Sequence, residues 1–330
     1  MRALVYTGPR EMVYRDEADP ALVAGEVVIR VDAAGICGSD MHAYHGHDPR
    51  RVPPMILGHE LAGEIVAGPG AGRRVTVNPL IACGRCEFCV QGRDNLCANR
   101  SMVGMNRPGA FAQYMSIPAR SLLDLPEGMS TRQAALTEPA ATALHALHLC
   151  VRALERPLPK ASVLVIGGGA IGLLAALLMR SYGCRQVRVA EVNPLRREAA
   201  ERHSGYPGFD PRAGGGPVDG SVDLVFDAVG GKDTRRAALA AVKPGGVVMH
   251  VGLQDWASEI DMRKLTLAEI TLLGTYTYTT ADLRATVQAL HAGVFGDLSW
   301  VEERSLADGA KAFEDLDRGR LAAAKVLLIP

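Results

Sequence analysis

The stretch that most constrains this chain runs from Val163 to Gly172. Val163-Leu-Val-Ile is a short apolar, β-prone run. It leads into Gly167-Gly-Gly169-Ala170-Ile171-Gly172, and an alanine- and leucine-rich helical segment opens directly after it. A G-x-G-x-x-G held between a strand and a helix is shaped for a pyrophosphate. The first glycine permits the tight turn, the second lets the phosphates approach the backbone, the third lets the helix pack on the strand, and the helix N-terminus faces the charge. Glu191 stands 19 residues beyond Gly172 (191 − 172), at the end of the next strand. A carboxylate there accepts hydrogen bonds from the adenosine ribose and repels a 2′-phosphate, so NAD is expected over NADP. Arg196 and Arg197 lie nearby and pull the other way, because either can reach a phosphate. Arg196, Val251, Gly252 and Thr275 complete the candidate cofactor contacts with Gly167, Gly169, Ala170, Ile171, Gly172 and Glu191.

The punctuation of the chain divides it in two. To about Pro126, short runs rich in β-branched residues (3–6, 27–31, 63–66, 74–77 and 111–117) alternate with glycine and proline, a pattern of antiparallel β structure. From Thr131 onward, helical segments alternate with continuous apolar strands at 163–166, 187–190, 224–228 and 246–251. Strands of that kind are buried on both faces of a parallel sheet. Helices are expected at 171–182, 194–203 and 233–242. The stretch Gly205–Gly220 holds six glycines and three prolines, so one crossover should be an abbreviated loop rather than a helix. A closing group, with helices at 281–291 and 307–318 and a strand at 325–329, can extend the second part or return to the first.

Cys83, Cys86, Cys89 and Cys97 form C-x2-C-x2-C-x7-C, four of the seven cysteines in one lobe. Thiolates at this spacing converge on one Zn²⁺, and a site closed by four of them shapes a loop rather than doing chemistry. The first three cysteines also match the start of a ferredoxin run. The fourth comes too late for that run, and no proline follows it. No charged and apolar leader opens the sequence, so reduced thiols and a cytoplasmic location are expected. A second candidate site is more open: Cys37, His59 and a carboxylate, Glu60 or Glu138, make three ligands and leave a fourth place free.

Lysine plus arginine equals aspartate plus glutamate, so no overall field recruits nucleic acid or anionic lipid. A zinc-ribbon reader of nucleic acid is disfavoured on that ground. The pairs Arg50-Arg51, Arg73-Arg74 and Arg196-Arg197 read as solvated surface. The apolar stretch 170–179 is too short to span a bilayer, so neither nucleic acid nor membrane is an expected partner.

Taken in order, C-G-S-D, G-H-E, the four-cysteine lobe, E-P and G-G-G-A-I-G resemble the zinc-dependent medium-chain dehydrogenases, the alcohol, polyol and threonine dehydrogenase family, over essentially the whole chain. The resemblance implies an α/β protein: a GroES-like β-rich catalytic domain (1–140, completed by 281–330) against a Rossmann doubly wound parallel-sheet domain (141–280). It implies two Zn²⁺ per chain, NAD, and a homodimer or homotetramer. It makes Cys37 and His59 ligands of the catalytic zinc, with Glu138 slightly preferred over Glu60 as the third. Asp40 orients the histidine. Ser39 receives the substrate proton and His42 carries it outward, while hydride passes from the carbinol carbon to the nicotinamide. The alternative for Ser39 is that its hydroxyl only caps the turn after Cys37. Tyr44 and Phe111 match substrate-pocket positions, with core packing as the competing role; His45 and His47 read as exposed loop residues. Thr277 stands where sorbitol dehydrogenases carry an arginine, which counts against sorbitol itself. The expected reaction interconverts a secondary alcohol, polyol- or sugar-like, and its ketone. An amino-alcohol or simple alcohol is the alternative, and a silent relative is disfavoured by the intact Cys37, Ser39, His59 and Glu138.

Overall fold

The computed structural model describes residues 1–330. Six parallel strands form the second sheet, in the order Gly208–Phe209, Gln186–Ala190, Ser162–Ile166, Val222–Asp227, Val242–His250, Thr271–Gly274. Chain order reverses between Ser162–Ile166 and Val222–Asp227, and at such a switch point the carboxyl ends of the strands open into a crevice. Helices Ala170–Ser181 and Pro194–Ser204 provide two of the crossovers. The connection from Phe209 to Val222 contains no helix, as the glycines and prolines between 205 and 220 require.

The first part contributes a seven-stranded sheet centred on Glu26–Gly35, which pairs antiparallel with Glu60–Ala67 and with Tyr114–Pro118. The end of the chain returns to this sheet. Lys325–Ile329 pairs antiparallel with Glu26–Gly35 and parallel with Val301–Ser305. Leu80–Ile81 pairs with Ser101–Met102 and so closes the base of the cysteine lobe. Helix Thr137–Ala153 is buried over most of its length, its last turn excepted, and packs on helices Ala170–Ser181 and Thr280–His291. Its first turn carries Glu138 to the active crevice. No helix is long and apolar enough to cross a membrane.

Candidate active site

Cys37 caps helix Gly38–Tyr44. Its Sγ accepts from the Ser39 amide at 3.5 Å, and Asp40 Oδ2 accepts from the Cys37 amide at 3.0 Å, a reciprocal cap. The residues of C-G-S-D are therefore placed by the start of one helix. The Ser39 hydroxyl takes no part in the cap. It lies 3.4 Å from His59 Nε2 and accepts from Arg51 Nη2 at 3.1 Å.

His59 and Glu60 enter on the strand beginning at Glu60. The candidate ligand atoms of Cys37, His59 and Glu60 lie within 4.8 Å of one another. Glu138 stands beside this trio rather than within it, so the grouping brings in Glu60 where the sequence favoured Glu138. Glu60 is fully buried, and both its carboxylate oxygens accept from Lys325 Nζ at 2.7 Å. Gly35 lies opposite Glu60 in the sheet, and a Cβ there would come within 2.0 Å of Glu60 Oε2. The carboxylate occupies the space that a larger residue at 35 would fill.

The electrostatics ask for a cation. Burial, reinforced by Glu60 and Asp40, pushes the Cys37 thiol up to about 11. Burial likewise raises the Glu138 carboxyl to about 8, with Cys37 and Glu60 adding to the push against His59. His59 Nδ1 and Asp40 Oδ1 are both buried without a partner, 3.5 Å apart. A divalent ion meets this surplus of acidic groups, and the donor set of sulfur, imidazole and carboxylate is one that zinc takes. Asp40 then sits where a carboxylate orients a metal-binding imidazole.

The four-cysteine lobe passes the same test. Cys86 and Cys89 sulfurs lie 3.4 Å apart, Cys83 and Cys89 3.9 Å, and the four candidate ligand atoms are mutually within 4.8 Å. Tetrahedral ligands at a Zn–S distance of about 2.3 Å are separated by about 3.8 Å. The backbone amides of Arg85 and Cys86 bring the Cys83 thiol down to about 6, whereas burial and the neighbouring Cys86 push Cys89 up to about 12. A metal allows all four to be thiolates together. The lobe also reaches the crevice. Asn95 Nδ2 donates to the Tyr276 carbonyl, and Asp94 accepts from the Thr280 amide and hydroxyl. It thereby holds the loop carrying Thr275 and Thr277, whose hydroxyls are both buried without partners; Thr277 is in the left-handed region at φ 45°.

At the glycine loop, a Cβ on Gly172 would come within 1.8 Å of the Gly167 carbonyl, so helix and turn pack as closely as the sequence predicts. The space above Gly169 is open. Glu191 is buried, accepting from the Gly168 amide through Oε2 and from the Asn193 amide through Oε1, each at 2.8 Å. Arg197 donates to the Glu191 carbonyl, whereas Arg196 Nε is buried without a partner. The amides of Val251 and Gly252 are turned back onto the Asp227 carbonyl.

Three expectations are corrected. Phe111 is fully buried against Gly58 and edge-on to Phe313, and Tyr44 packs on the same ring. Both are core residues rather than pocket walls. Arg51 is no surface charge: its side chain has no exposure. His45 is half-buried and pairs with Asp317 at 2.6 Å, so only His47 is an exposed loop histidine. Arg51 and Lys325 are site residues that the sequence reading missed. The carboxylate and carbonyl that hold Lys325 lie far off in the chain, and although Asp48 is close to Arg51 in sequence, the acceptors on Ser39 and Gly104 that draw Arg51 inward come from other segments.

Comparison with known proteins agrees with this architecture. Residues 23–127 match the alcohol dehydrogenase GroES-like domain, and residues 170–292 match the zinc-binding dehydrogenase domain. L-galactonate-5-dehydrogenase of Escherichia coli (strain K12) is 31% identical over 95% of this chain and 94% of its own length. Sorbitol dehydrogenase of Bacillus subtilis (strain 168) is 31% identical over 100% of this chain and 97% of its own length. The crystal structure of a zinc-binding dehydrogenase from Sinorhizobium meliloti 1021 bound to NADP has a TM-score of 0.86 and 30% identity. It covers 100% of this chain and 99% of that one. Fold, glycine loop, cysteine lobe and full-length relatives converge: this chain belongs to the zinc-dependent medium-chain dehydrogenases, oxidoreductases that act on CH–OH groups.

Proposed function

We propose that this chain is an NAD-dependent dehydrogenase of a secondary alcohol on a polyol or sugar acid, interconverting it with the ketone. The observation that carries the reading is the position of Ser39 Oγ, 3.4 Å from His59 Nε2 and uncommitted to the helix cap. The substrate class rests on the relatives, which act on L-galactonate and sorbitol by name.

Cys37, His59 and Glu60 would hold the catalytic zinc, with Glu138 beside them, and the Cys83, Cys86, Cys89 and Cys97 cage would hold the second zinc. When bound, the catalytic metal polarises the alcohol oxygen and the nicotinamide accepts hydride. Ser39 accepts the substrate's hydroxyl proton and passes its own outward. His42 lies one turn further along the same helix and receives it. Burial, together with His45, His47 and Arg51, lowers the His42 pKa below the ordinary histidine value, so at neutral pH it is a free base ready to accept. The buried, partnerless hydroxyls of Thr275 and Thr277 are free to meet polar groups of cofactor or substrate.

The test is a screen of NAD reduction over aldonates, polyols, cyclitols, amino-alcohols and simple secondary alcohols. The expected outcome is highest kcat/KM on a polyhydroxylated substrate. Preference for threonine or for 2-butanol would overturn the substrate class.

A further inference from the structure

Arg51 lies between helix Gly38–Tyr44 and strand Met55–Ile56, with its guanidinium withdrawn from solvent. Nε donates to the Gly104 carbonyl at 3.0 Å. Nη1 donates to Asp48 Oδ2 at 2.7 Å and to the Ser39 carbonyl at 3.0 Å, and Nη2 donates to Ser39 Oγ at 3.1 Å. Four donations fix the plane of the fork, and Asp48 balances its charge. Two of the four go to Ser39, and one of those goes to the hydroxyl that faces His59.

A hydroxyl has two lone pairs and one proton. With one lone pair held by Arg51, Ser39 Oγ keeps a single acceptor position and must send its proton elsewhere. Without that hold, the O–H rotates freely and can point its proton at the substrate oxygen, the one orientation that cannot receive a proton from it. Guanidinium stays charged at every working pH, and its planar geometry restricts the direction of the bond in a way an ammonium does not.

We propose that Arg51 is a positioning residue of the proton relay, holding the Ser39 hydroxyl as acceptor toward the substrate and donor toward His42. In the step it directs, the substrate O–H bond breaks as its proton passes to Ser39 Oγ. The original Ser39 proton leaves toward His42, and Ser39 ends neutral. The inference rests on the assignment of Ser39 to the relay.

The test is a double-mutant cycle on the zinc-loaded enzyme: Ser39→Ala, Arg51→Met, Arg51→Lys and the combinations with Ser39→Ala. The readouts are kcat, KM for the alcohol, the solvent isotope effect on kcat and melting temperature. Losing one charge-assisted hydrogen bond corresponds to about 10- to 100-fold. Arg51→Met should therefore lower kcat by that factor, leave KM within about twofold and raise the solvent isotope effect. Added to Ser39→Ala it should cost nothing further. Arg51→Lys keeps the charge beside Asp48 but loses the fork, and should fall between wild type and Arg51→Met; it remains informative if Arg51→Met does not fold. Equal losses in both backgrounds, or a native kcat with a lowered melting temperature in a folded Arg51 variant, overturn the inference while leaving the Ser39 relay standing. A fully active Ser39→Ala enzyme overturns both.

Discussion

We propose that cofactor choice turns on two side chains beyond strand Gln186–Ala190, Glu191 directly after it and Arg196 in the first turn of helix Pro194–Ser204, and the structure gives them unequal standing. Glu191 is buried and locked in place by the Gly168 and Asn193 amides. Arg196 has a buried Nε with no partner. Unit charges about 4 Å apart at an effective dielectric constant of 20 interact by about 4 kcal/mol. Halving that for solvent on the cofactor side leaves about 2 kcal/mol against a 2′-phosphate, a factor of about 30. Glu191→Ser should therefore raise the ratio of kcat/KM for NADP over NAD by at least that factor, and lost ribose hydrogen bonds should lower the NAD value further. Adding Arg196→Ala should take back part of the gain, since the free guanidinium is then no longer there to meet the phosphate. The assay is the initial rate with each cofactor well below its KM, at one fixed alcohol concentration. Wild-type enzyme that already works faster on dilute NADP, or a ratio unmoved in Glu191→Ser, would refute the argument and assign the pocket to Arg196. The Sinorhizobium meliloti neighbour was solved with NADP, so this fold can hold the 2′-phosphate cofactor.

Two zinc ions per chain should differ in lability: brief chelation strips the Cys37, His59 and Glu60 site and stops turnover before the four-thiolate lobe is lost. One metal per chain in fully active protein, by elemental analysis, contradicts this. Ser39→Ala should lower turnover about 10²-fold with zinc and NAD still bound; His42→Ala should cost less, and its deficit should shrink as pH rises because hydroxide takes the proton. Asp282 accepts from His145, His148 and Thr279; burial raises its pKa, but these hydrogen bonds outweigh burial and hold the carboxyl well below its usual range. A folded pKa depressed in this way stabilises above about pH 4 and is lost as pH falls further. Asp282→Asn should accordingly cost about 3 kcal/mol at neutral pH, roughly 4 °C in melting temperature for a chain of this length, and the gap should close on acidification. An equal gap at pH 2.5 and pH 7 rejects that account. Edge strand Thr271–Gly274 has one unpaired side and carries the exposed Leu272, so self-association through it is expected. Leu272→Lys should shift the mass measured by light scattering toward the monomer, and a native monomer at micromolar concentration excludes this interface.

Legibility in the sequence followed the range of the interactions. The glycine loop, the four cysteines and the C-G-S-D helix start are chemistry packed into a few neighbouring residues, and the structure assembles them as spacing implies. The strands at 163–166 and 187–190 were readable because burial on both faces leaves a continuous apolar run. Gly208–Phe209 was not: two residues carry no periodicity, and the pairing that makes them a strand comes from Val189 and Ala190. Arg50 and Arg51 show the limit most sharply. They are adjacent and identical, yet Arg50 remains largely exposed while Arg51 is buried, because Gly104 and Ser39 supply Arg51's acceptors from other segments. Tyr44 and Phe111 show the same limit in reverse, since aromatic residues near a catalytic loop look alike whether they line a pocket or fill the core beneath it.

Lys325 ties these observations together. It sits five residues from the end of the chain and 265 residues from the carboxylate it holds. A lysine is almost never buried without a partner, and here the whole requirement is met by Glu60 and the Ile36 carbonyl. That arrangement needs Gly35 to leave room for Glu60 and needs the final strand to pair with Glu26–Gly35. The catalytic pocket is thus closed only when the last strand docks. Once Lys325 is committed to Glu60, Cys37 and Glu138 remain acidic groups without a cation of their own, buried beside an imidazole whose Nδ1 already faces Asp40. The C-terminal strand therefore does more than extend a sheet: its Lys325 holds the Glu60 carboxylate in place beside Cys37 and His59, while the acidity of Cys37 and Glu138 is left for the metal.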